Sequence, residues 1–104
     1  MSAAKIRDLN DAFRRSMSGG RFTMTAGVAA LPGDRLSRLV DAVRSFADFN
    51  ADNDPHGEHD FGAVEIAGAR YFWKIDLYED PEVKGADGKS ITTRVLTIML
   101  AEEY

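Results

Sequence analysis

Two stretches in the first half of the chain carry apolar residues at the three- and four-residue spacing of an amphipathic helix. The repeating apolar positions of residues 3–17 are Ile6, Leu9, Phe13 and Met17. Those of residues 35–49 are Leu36, Leu39, Val40, Val43, Phe46 and Ala47. The pattern predicts helices over 3–17 and 35–49. Ser18-Gly19-Gly20 ends the first, while Asp34 caps the start of the second and Asn50 ends it.

The remaining apolar residues follow the two-residue period of strands or form short runs. Residues 22–29 and 70–78 alternate, and residues 63–66 form a short apolar segment before an Ala67-Gly68 hairpin turn. Residues 93–101 are almost wholly apolar, which is typical of a central strand buried on both faces. We predict strands at these four places and loops over 50–62 and 79–91.

The order of these elements predicts an α+β fold. It is α-β-α-β-β-β, within a single domain over residues 1–104. The last three strands form an antiparallel meander, and the first joins the same sheet after a crossover through the second helix. We therefore expect a mixed or mainly antiparallel four-stranded sheet with two helices packed against it.

Composition narrows the possible classes of protein. The chain has 104 residues, 44% of them hydrophobic, which fits one globular domain. It contains no cysteine, so disulfides, thiolate zinc sites and cysteine nucleophiles are excluded. No apolar run approaches the roughly 20 residues that cross a bilayer, and no leader-like segment is present. We expect a cytoplasmic protein with no membrane partner.

Charge is distributed unevenly along the chain. The net charge is -4. Residues 1–46 contain eight Lys and Arg against four Asp, whereas residues 47–104 contain five Lys and Arg against thirteen Asp and Glu. Solvated helix faces and acidic loops account for much of this asymmetry, but it also orients a charged partner.

The most chemically suggestive segment is the polar tract Asn53–Gly62, which contains both histidines and three carboxylates. The spacing His56-x-x-His59, with Asp54 nearby, suits a divalent metal with nitrogen and oxygen ligands. Glu58, His59 and Asp60 are candidates for acid–base chemistry in a hydrolytic enzyme. The alternating Asp48, Asn50, Asp52 and Asp54 partly match a calcium loop, without its glycine or its final glutamate.

A structural interpretation of the same tract stays open. Asn and Asp side chains brace turns by bonding to nearby backbone, and Pro55 and Gly57 shape them. On this interpretation the chain needs no cofactor, and a divalent metal held by Asp54, His56 and His59 is the alternative. No nucleophile elbow or phosphate-binding glycine loop is present, so enzyme activity is the less favoured class.

The aromatic row of residues 71–78 suggests a further alternative. Trp73, with Lys74 beside it, would serve as a stacking platform in a nucleic-acid-binding sheet. Alternation also predicts that one aromatic row lies in the core. An acidic chain disfavours nucleic acid as the partner, because contacts to phosphates dominate such binding.

Five segments of the chain form a recognisable series: residues 6–14, 25–28, 53–62, 72–76 and 93–104. Taken in this order, they resemble the bacterial domain-of-unknown-function family three-seven-six-eight. The resemblance implies no established activity. It implies a small protein encoded largely on plasmids and integrative elements, often near antirestriction-type genes, and hence an accessory or counter-defence role. The family often has Tyr at the position of His56, which leaves Glu58-His59-Asp60 as the better candidate cluster.

The leading hypothesis is therefore a non-enzymatic accessory protein of a mobile element that binds another protein. In its sharper form, the acidic surface mimics nucleic acid and inhibits a nuclease or restriction complex. The predicted recognition residues are Asn53, Asp54, His56, Glu58, His59, Asp60, Trp73, Lys74 and Asp76.

Overall fold

The computed structural model describes residues 2–88 and 90–104, with the backbone alone for 80–84, 90 and 91. The helices are α1 (Ala3–Ser16), α2 (Ala26–Ala29) and α3 (Gly33–Arg44), and a 3-10 helix spans Ala101–Glu103. The strands are β1 (Arg21–Met24), β2 (Phe61–Ile66), β3 (Ala69–Lys84) and β4 (Ser90–Leu100). The predicted α+β class is confirmed.

The four strands form one mixed sheet in the order β1-β4-β3-β2. The predicted antiparallel meander of the last three strands is confirmed, and β1 joins by pairing parallel to β4. The Ala67-Gly68 turn is confirmed as well: both residues have positive φ, 52° and 80°, as the favoured two-residue hairpin turn requires. The apolar strand β4 is central, as its sequence predicts.

The core lies between one face of the sheet and the helices. Alternate residues of β3 turn to this face, and Tyr71 and Trp73 are the largest of them. Phe13 of α1 and Leu39 and Val43 of α3 pack against them in one apolar cluster. Among the residues described, no helix combines the length and the apolar character needed to cross a bilayer.

The predicted strand over 22–29 is wrong in its second half. β1 ends at Met24, and the chain then turns into the short helix α2. The small residues of this segment permit the turn, and it places Val28 in the core with no exposed surface. A carboxylate from the far end of the chain, Glu103, accepts the backbone N–H of Gly27 at 3.1 Å and so stabilises the first turn. Residues 2–88 and 90–104 therefore contain three α-helices rather than the two predicted.

The predicted helix over 35–49 begins and ends earlier than its apolar stripe. α3 starts after Pro32, with Asp34 in its first turn, and ends at Arg44. Beyond it, Phe46 and Phe49 reach the core from the segment after the helix and pack edge-on against Trp73. The first helix ends at Ser16, one residue before the predicted end, where Met17 takes a left-handed conformation.

The predicted loop over 79–91 is largely strand. The β3–β4 ladder continues past Tyr78–Thr93 to Lys84–Ser90, with a register shift after Asp80. The polar composition hides this pairing because the ladder needs only backbone groups. Residues 85–88 make the turn, and Lys89 lies outside the described residues. We call residues 77–84 and 90–94 the hairpin arm, since β2 and β1 pair only with residues 69–74 and 95–98.

Candidate functional site

The polar tract begins with a turn that its own side chains brace. Asn50 Oδ1 accepts the backbone N–H groups of Asp52 and Asn53 at 2.8 and 3.0 Å. Asn53 Oδ1 accepts the N–H of Asn50 at 2.8 Å, and its Nδ2 donates to the carbonyl of Asp48 at 2.8 Å. Asn53, a predicted recognition residue, thus has its amide committed to the loop.

Asp54 organises the second half of the tract. Its Oδ1 accepts the backbone N–H groups of Glu58 and His59 at 3.1 and 3.2 Å, and its side chain is 6% exposed. Its other oxygen lies 3.5 Å from His59 Nε2. This bonding folds residues 54–59 into a compact turn, with Gly57 at a φ of 66°. Asp54 is therefore an internal brace of the loop.

His59 points into the protein and bridges the loop to helix α1. Its Nδ1 lies 2.9 and 3.1 Å from the two carboxylate oxygens of Asp11. Its ring stacks on Phe49, with centroids 3.6 Å apart and planes 4° from parallel. These contacts offset the strain of its backbone, whose φ of 53° is uncommon for a residue other than glycine.

Arg14 completes this arrangement from the next turn of α1. It is fully buried, and its Nη1 donates to Asp11 at 3.1 Å. Nε and Nη2 donate to the carbonyls of Val43 and Phe46 at 2.9 and 2.8 Å, just where α3 ends. The guanidinium also lies over the Trp73 ring, 5.1 Å from its centroid. One cation thus closes the last turn of α3 and ties it to α1.

The electrostatics of this cluster follow from burial and pairing. We call Asp11, Arg14, Asp54 and His59 the inner network. Burial raises the pKa of the Asp11 carboxyl, but hydrogen bonds from His59 and Arg14 outweigh it, so the pKa lies below its ordinary value. Burial lowers the pKa of Arg14, and Asp11 opposes this shift. The carboxylate and the guanidinium therefore stabilise each other in a poorly hydrated place.

Asn10, also buried, connects the loop to the hairpin. Its Nδ2 donates to the carbonyl of Glu58 at 2.9 Å, and its Oδ1 accepts from Arg94 Nε at 2.9 Å. One amide thus fixes the loop, α1 and β4 relative to one another.

The outward side of the tract lines a groove of about 260 Å³ where β2 begins. Its lining residues, which define the acidic groove, are Ile6, Asn10, Glu58, Asp60, Ile75, Asp76 and Leu77. Lys74 Nζ lies 3.0 Å from Asp76 Oδ2 at the rim, and the hydrogen bond to Asp76 raises the pKa of Lys74. The groove therefore combines carboxylates with apolar side chains beside the first residues of the hairpin arm.

The structure divides the predicted site residues among several places. Of the Glu58-His59-Asp60 cluster, His59 turns inward to the inner network, whereas Glu58 and Asp60 line the acidic groove. His56 is exposed on the turn. Within 2–88 and 90–104, no group of three or more His, Asp or Glu side chains is placed to hold a metal ion.

The structure corrects the placement of Trp73 from the surface to the core. Trp73 has no exposed surface, because its indole is covered by Phe46 and lies against the backbone of Gly62 on β2. It cannot stack on a base in this fold. The opposite face of β3 carries Phe72, Lys74 and Asp76, and all three are partly exposed.

Three residues that matter here were not predicted from the sequence: Asn10, Asp11 and Arg14. A signal for two of them was present. Helical spacing from Ile6 and Phe13 places Asn10 and Arg14 on the apolar stripe of α1, where a polar residue needs a buried partner. Nothing local indicated that the partners are a loop and the end of α3.

Fold and site together define a small two-layer α+β protein whose polar loop is fixed to its first helix by a buried ionic network. The chain belongs to the family described as protein of unknown function (DUF3768), whose model matches residues 24–103. This confirms the family that the sequence resembles. The match begins at the last residue of β1, so α1 precedes it. No curated protein and no solved structure matches the chain.

Proposed function

We propose that this protein is a non-enzymatic binding module whose acidic groove receives a positively charged segment of another protein. The observation that carries the proposal is the composition of the groove. Glu58 and Asp60 line it together with Ile6 and Leu77, and Leu77 is 52% exposed. Asp76 lies at its rim, with its side chain turned to the opposite face of β3 beside Lys74. Exposed apolar surface framed by charge is characteristic of protein-binding sites.

The division of the polar tract supports this proposal. Asn53, Asp54 and His59 direct their polar groups to the loop and to α1. What the tract offers to a partner is thus mainly Glu58 and Asp60. Because the inner network already fixes the loop, a partner loses little free energy in ordering this side of the interface.

The chemistry of the groove matches lysine and arginine. Such a side chain lays its aliphatic stem on apolar surface and keeps its charged end near carboxylates. The excess of acidic over basic residues in 47–104, the part of the chain that supplies the groove carboxylates, also favours a basic partner. A basic nucleic-acid-handling protein, such as a nuclease or restriction enzyme, is the partner that fits the mobile-element setting implied by the resemblance.

Affinity capture with matched variants tests the proposal. The groove variant carries Glu58→Gln, Asp60→Asn and Asp76→Asn. The control variant, with Asp41→Asn, Asp48→Asn and Glu65→Gln, loses the same charge from other exposed or half-exposed positions. We expect wild type and the control variant to retain the same host protein, and the groove variant to lose it.

Two results would contradict the proposal. One is retention of the same partner by all three proteins. The other is the absence of any partner above background at low ionic strength, where charge attraction is strongest. If a nuclease is captured, its inhibition by wild type and control, but not by the groove variant, separates mimicry of nucleic acid from simple association.

A further inference from the structure

The open edge of β3 beside the acidic groove shows how a partner would bind. We propose that a basic segment of the partner adds as an extended β-strand along this edge, at Leu77 and Glu79, with side chains on one of its faces seated in the groove. This inference rests on the proposed function and specifies the binding mode.

The backbone of β3 provides the first argument. β2 pairs with β3 only up to Lys74, and one further hydrogen bond, from Ile75 N–H to the Asp60 carbonyl at 2.8 Å, ends the contact. In an antiparallel strand, the N–H and C=O of every second residue point to the same side. Those of Leu77 and Glu79 therefore point the same way as those of Ile75, away from β4.

Beyond the hydrogen bond to Asp60, no strand within the described ranges pairs with that side of β3. The backbone groups of Leu77 and Glu79 are thus a ready template for another chain. The backbone N–H and C=O groups of the intervening residues, Asp76 and Tyr78, point to β4, where these residues pair with Val95 and Thr93. Strand addition consequently requires no bond of the existing ladder to break.

The side chains around the edge provide the second argument. Leu77 extends the row of Tyr71, Trp73 and Ile75, so it lies on the face of the sheet that α1 covers. There Ile6 forms the opposite wall of the groove. A strand added at the edge would place every second side chain between these two apolar residues, in line with the way added strands gain specificity from pockets for alternate side chains.

The charges around this edge of β3 determine which kind of strand can bind there. Glu58 and Asp60 lie where β2 begins, and Asp76 and Glu79 lie along the open part of β3. Two cations described beside the edge already have partners: Lys74 pairs with Asp76, and Arg94 donates to Asn10. A second copy pairing through the same edge would bring like charges together, which is destabilising. A segment rich in lysine or arginine is the complementary partner.

Solution NMR with defined peptides tests the inference. The probe is a peptide of alternating lysine and valine, and the matched probe replaces lysine with glutamate. In the free protein we expect fast amide hydrogen exchange at Leu77 and Glu79 and slow exchange at Asp76 and Tyr78. The lysine probe should slow exchange at Leu77 and Glu79 by about tenfold or more, whereas the glutamate probe should not.

Backbone methylation of the probe separates strand addition from simple charge attraction. One version is methylated on the lysine nitrogens and the other on the valine nitrogens, so only one of them blocks the nitrogens that face β3. We expect one version to lose affinity by about tenfold or more and the other to retain it. The groove variant should bind the unmethylated probe about tenfold more weakly, and the control variant should bind it as wild type does.

Four results would overturn strand addition. The first is equal binding of both methylated probes without protection of Leu77 and Glu79; if the groove variant still loses affinity, binding of basic segments at the groove survives. The second is equal binding of the lysine and glutamate probes. The third is no binding of the lysine probe, which leaves the capture experiment to judge the proposed function. The fourth is concentration-dependent protection of both amides in the free protein, which would show pairing with a second copy.

Discussion

The inner network and the acidic groove each take carboxylates from the same short loop, Asp54 for the network and Glu58 and Asp60 for the groove, yet the two regions differ in burial and in bonding. The Asp54 side chain is 6% exposed and accepts two backbone N–H groups. Glu58 and Asp60, a few residues later, line an open groove. The comparison teaches that the density of acidic residues in a sequence says little about their role until the direction of each side chain is known.

The two regions also differ in how their charges are balanced. Inside, Asp11 lies within hydrogen-bonding distance of both Arg14 and His59. At the groove, Asp76 pairs with Lys74 at the exposed rim. Balanced buried charge holds structure together, whereas surface charge contributes little to stability and is available to a partner.

Removing the buried cation should have the largest effect. In Arg14→Met the side chain keeps most of its volume, but Asp11 and the carbonyls of Val43 and Phe46 lose their donor. We expect the free energy of unfolding, measured by urea denaturation, to fall by about 3 to 5 kcal/mol. The matched control is Arg15→Met, whose exposed side chain should matter by less than about 0.5 kcal/mol. Equal losses would show that the inner network does not stabilise the fold.

Overfilling the core beside the loop should have the next largest effect. A Cβ added at Gly62 would collide with the Trp73 indole, so Gly62→Ala should destabilise by about 1 to 3 kcal/mol. At Gly33, on α3, the same atom meets nothing within 4 Å, and Gly33→Ala should stabilise by about 0.5 to 1 kcal/mol. Thermal unfolding of the two variants side by side measures the difference. If Gly62→Ala left the stability unchanged, this would contradict the close contact between Gly62 and the Trp73 indole.

Acid should weaken the inner network in a defined direction. The folded-state pKa of Asp11 lies below the ordinary value of 3.8, so the group favours folding above its unfolded pKa and loses this contribution as pH falls through the lower folded value. Wild type and Asp11→Asn should therefore differ most in stability near neutral pH and converge toward pH values below about 3.8. Urea midpoints across the acid range measure this difference. If the difference in stability between wild type and Asp11→Asn did not change with pH, it would arise from altered packing rather than from the lost charge.

Neutralising the groove should have the smallest effect on stability. Each of Glu58→Gln, Asp60→Asn and Asp76→Asn should change the free energy of unfolding by less than about 0.5 kcal/mol, because none of these carboxylates belongs to the inner network. Urea denaturation of the triple variant measures the sum. A loss comparable to that of Arg14→Met would mean that the groove carboxylates hold the fold, and would remove the contrast between the two regions.

The elements that sequence predicts best are those with a strong local period. The meander and helix α1 follow from such periods, and the rule for crossovers predicts that β1 joins the same sheet. The sequence does not reveal that β4 is its parallel partner. The strand predicted over 22–29 ends early because Val28 gains more from burial on α2 than from continued alternation. The loop predicted over 79–91 is strand because ladder bonds between distant backbone segments leave no local trace.

The site is predictable only in part for the same reason. The sequence singles out the tract that contains His59 and Asp54. It does not reveal that His59 pairs with Asp11, which lies 48 positions away. Nor does it separate Glu58 from Asp54, since the direction of each side chain depends on a turn with positive φ at Gly57 and His59. Long-range pairing and unusual backbone decide which polar residues face inward.

The parallel pairing of β1 with β4 determines when β1 can find its partner during synthesis of the chain. Arg21 pairs with Val95, and Phe22 with Leu96, so β1 has no strand partner until β4 has been translated. At about 5 to 20 residues per second, the ribosome needs about 4 to 15 s to add the 74 residues between Arg21 and Val95. Strand β4, which lies between β1 and β3, emerges after both of them. Until it does, β1 and the edge of β3 that faces β4 have no strand partner in the nascent chain.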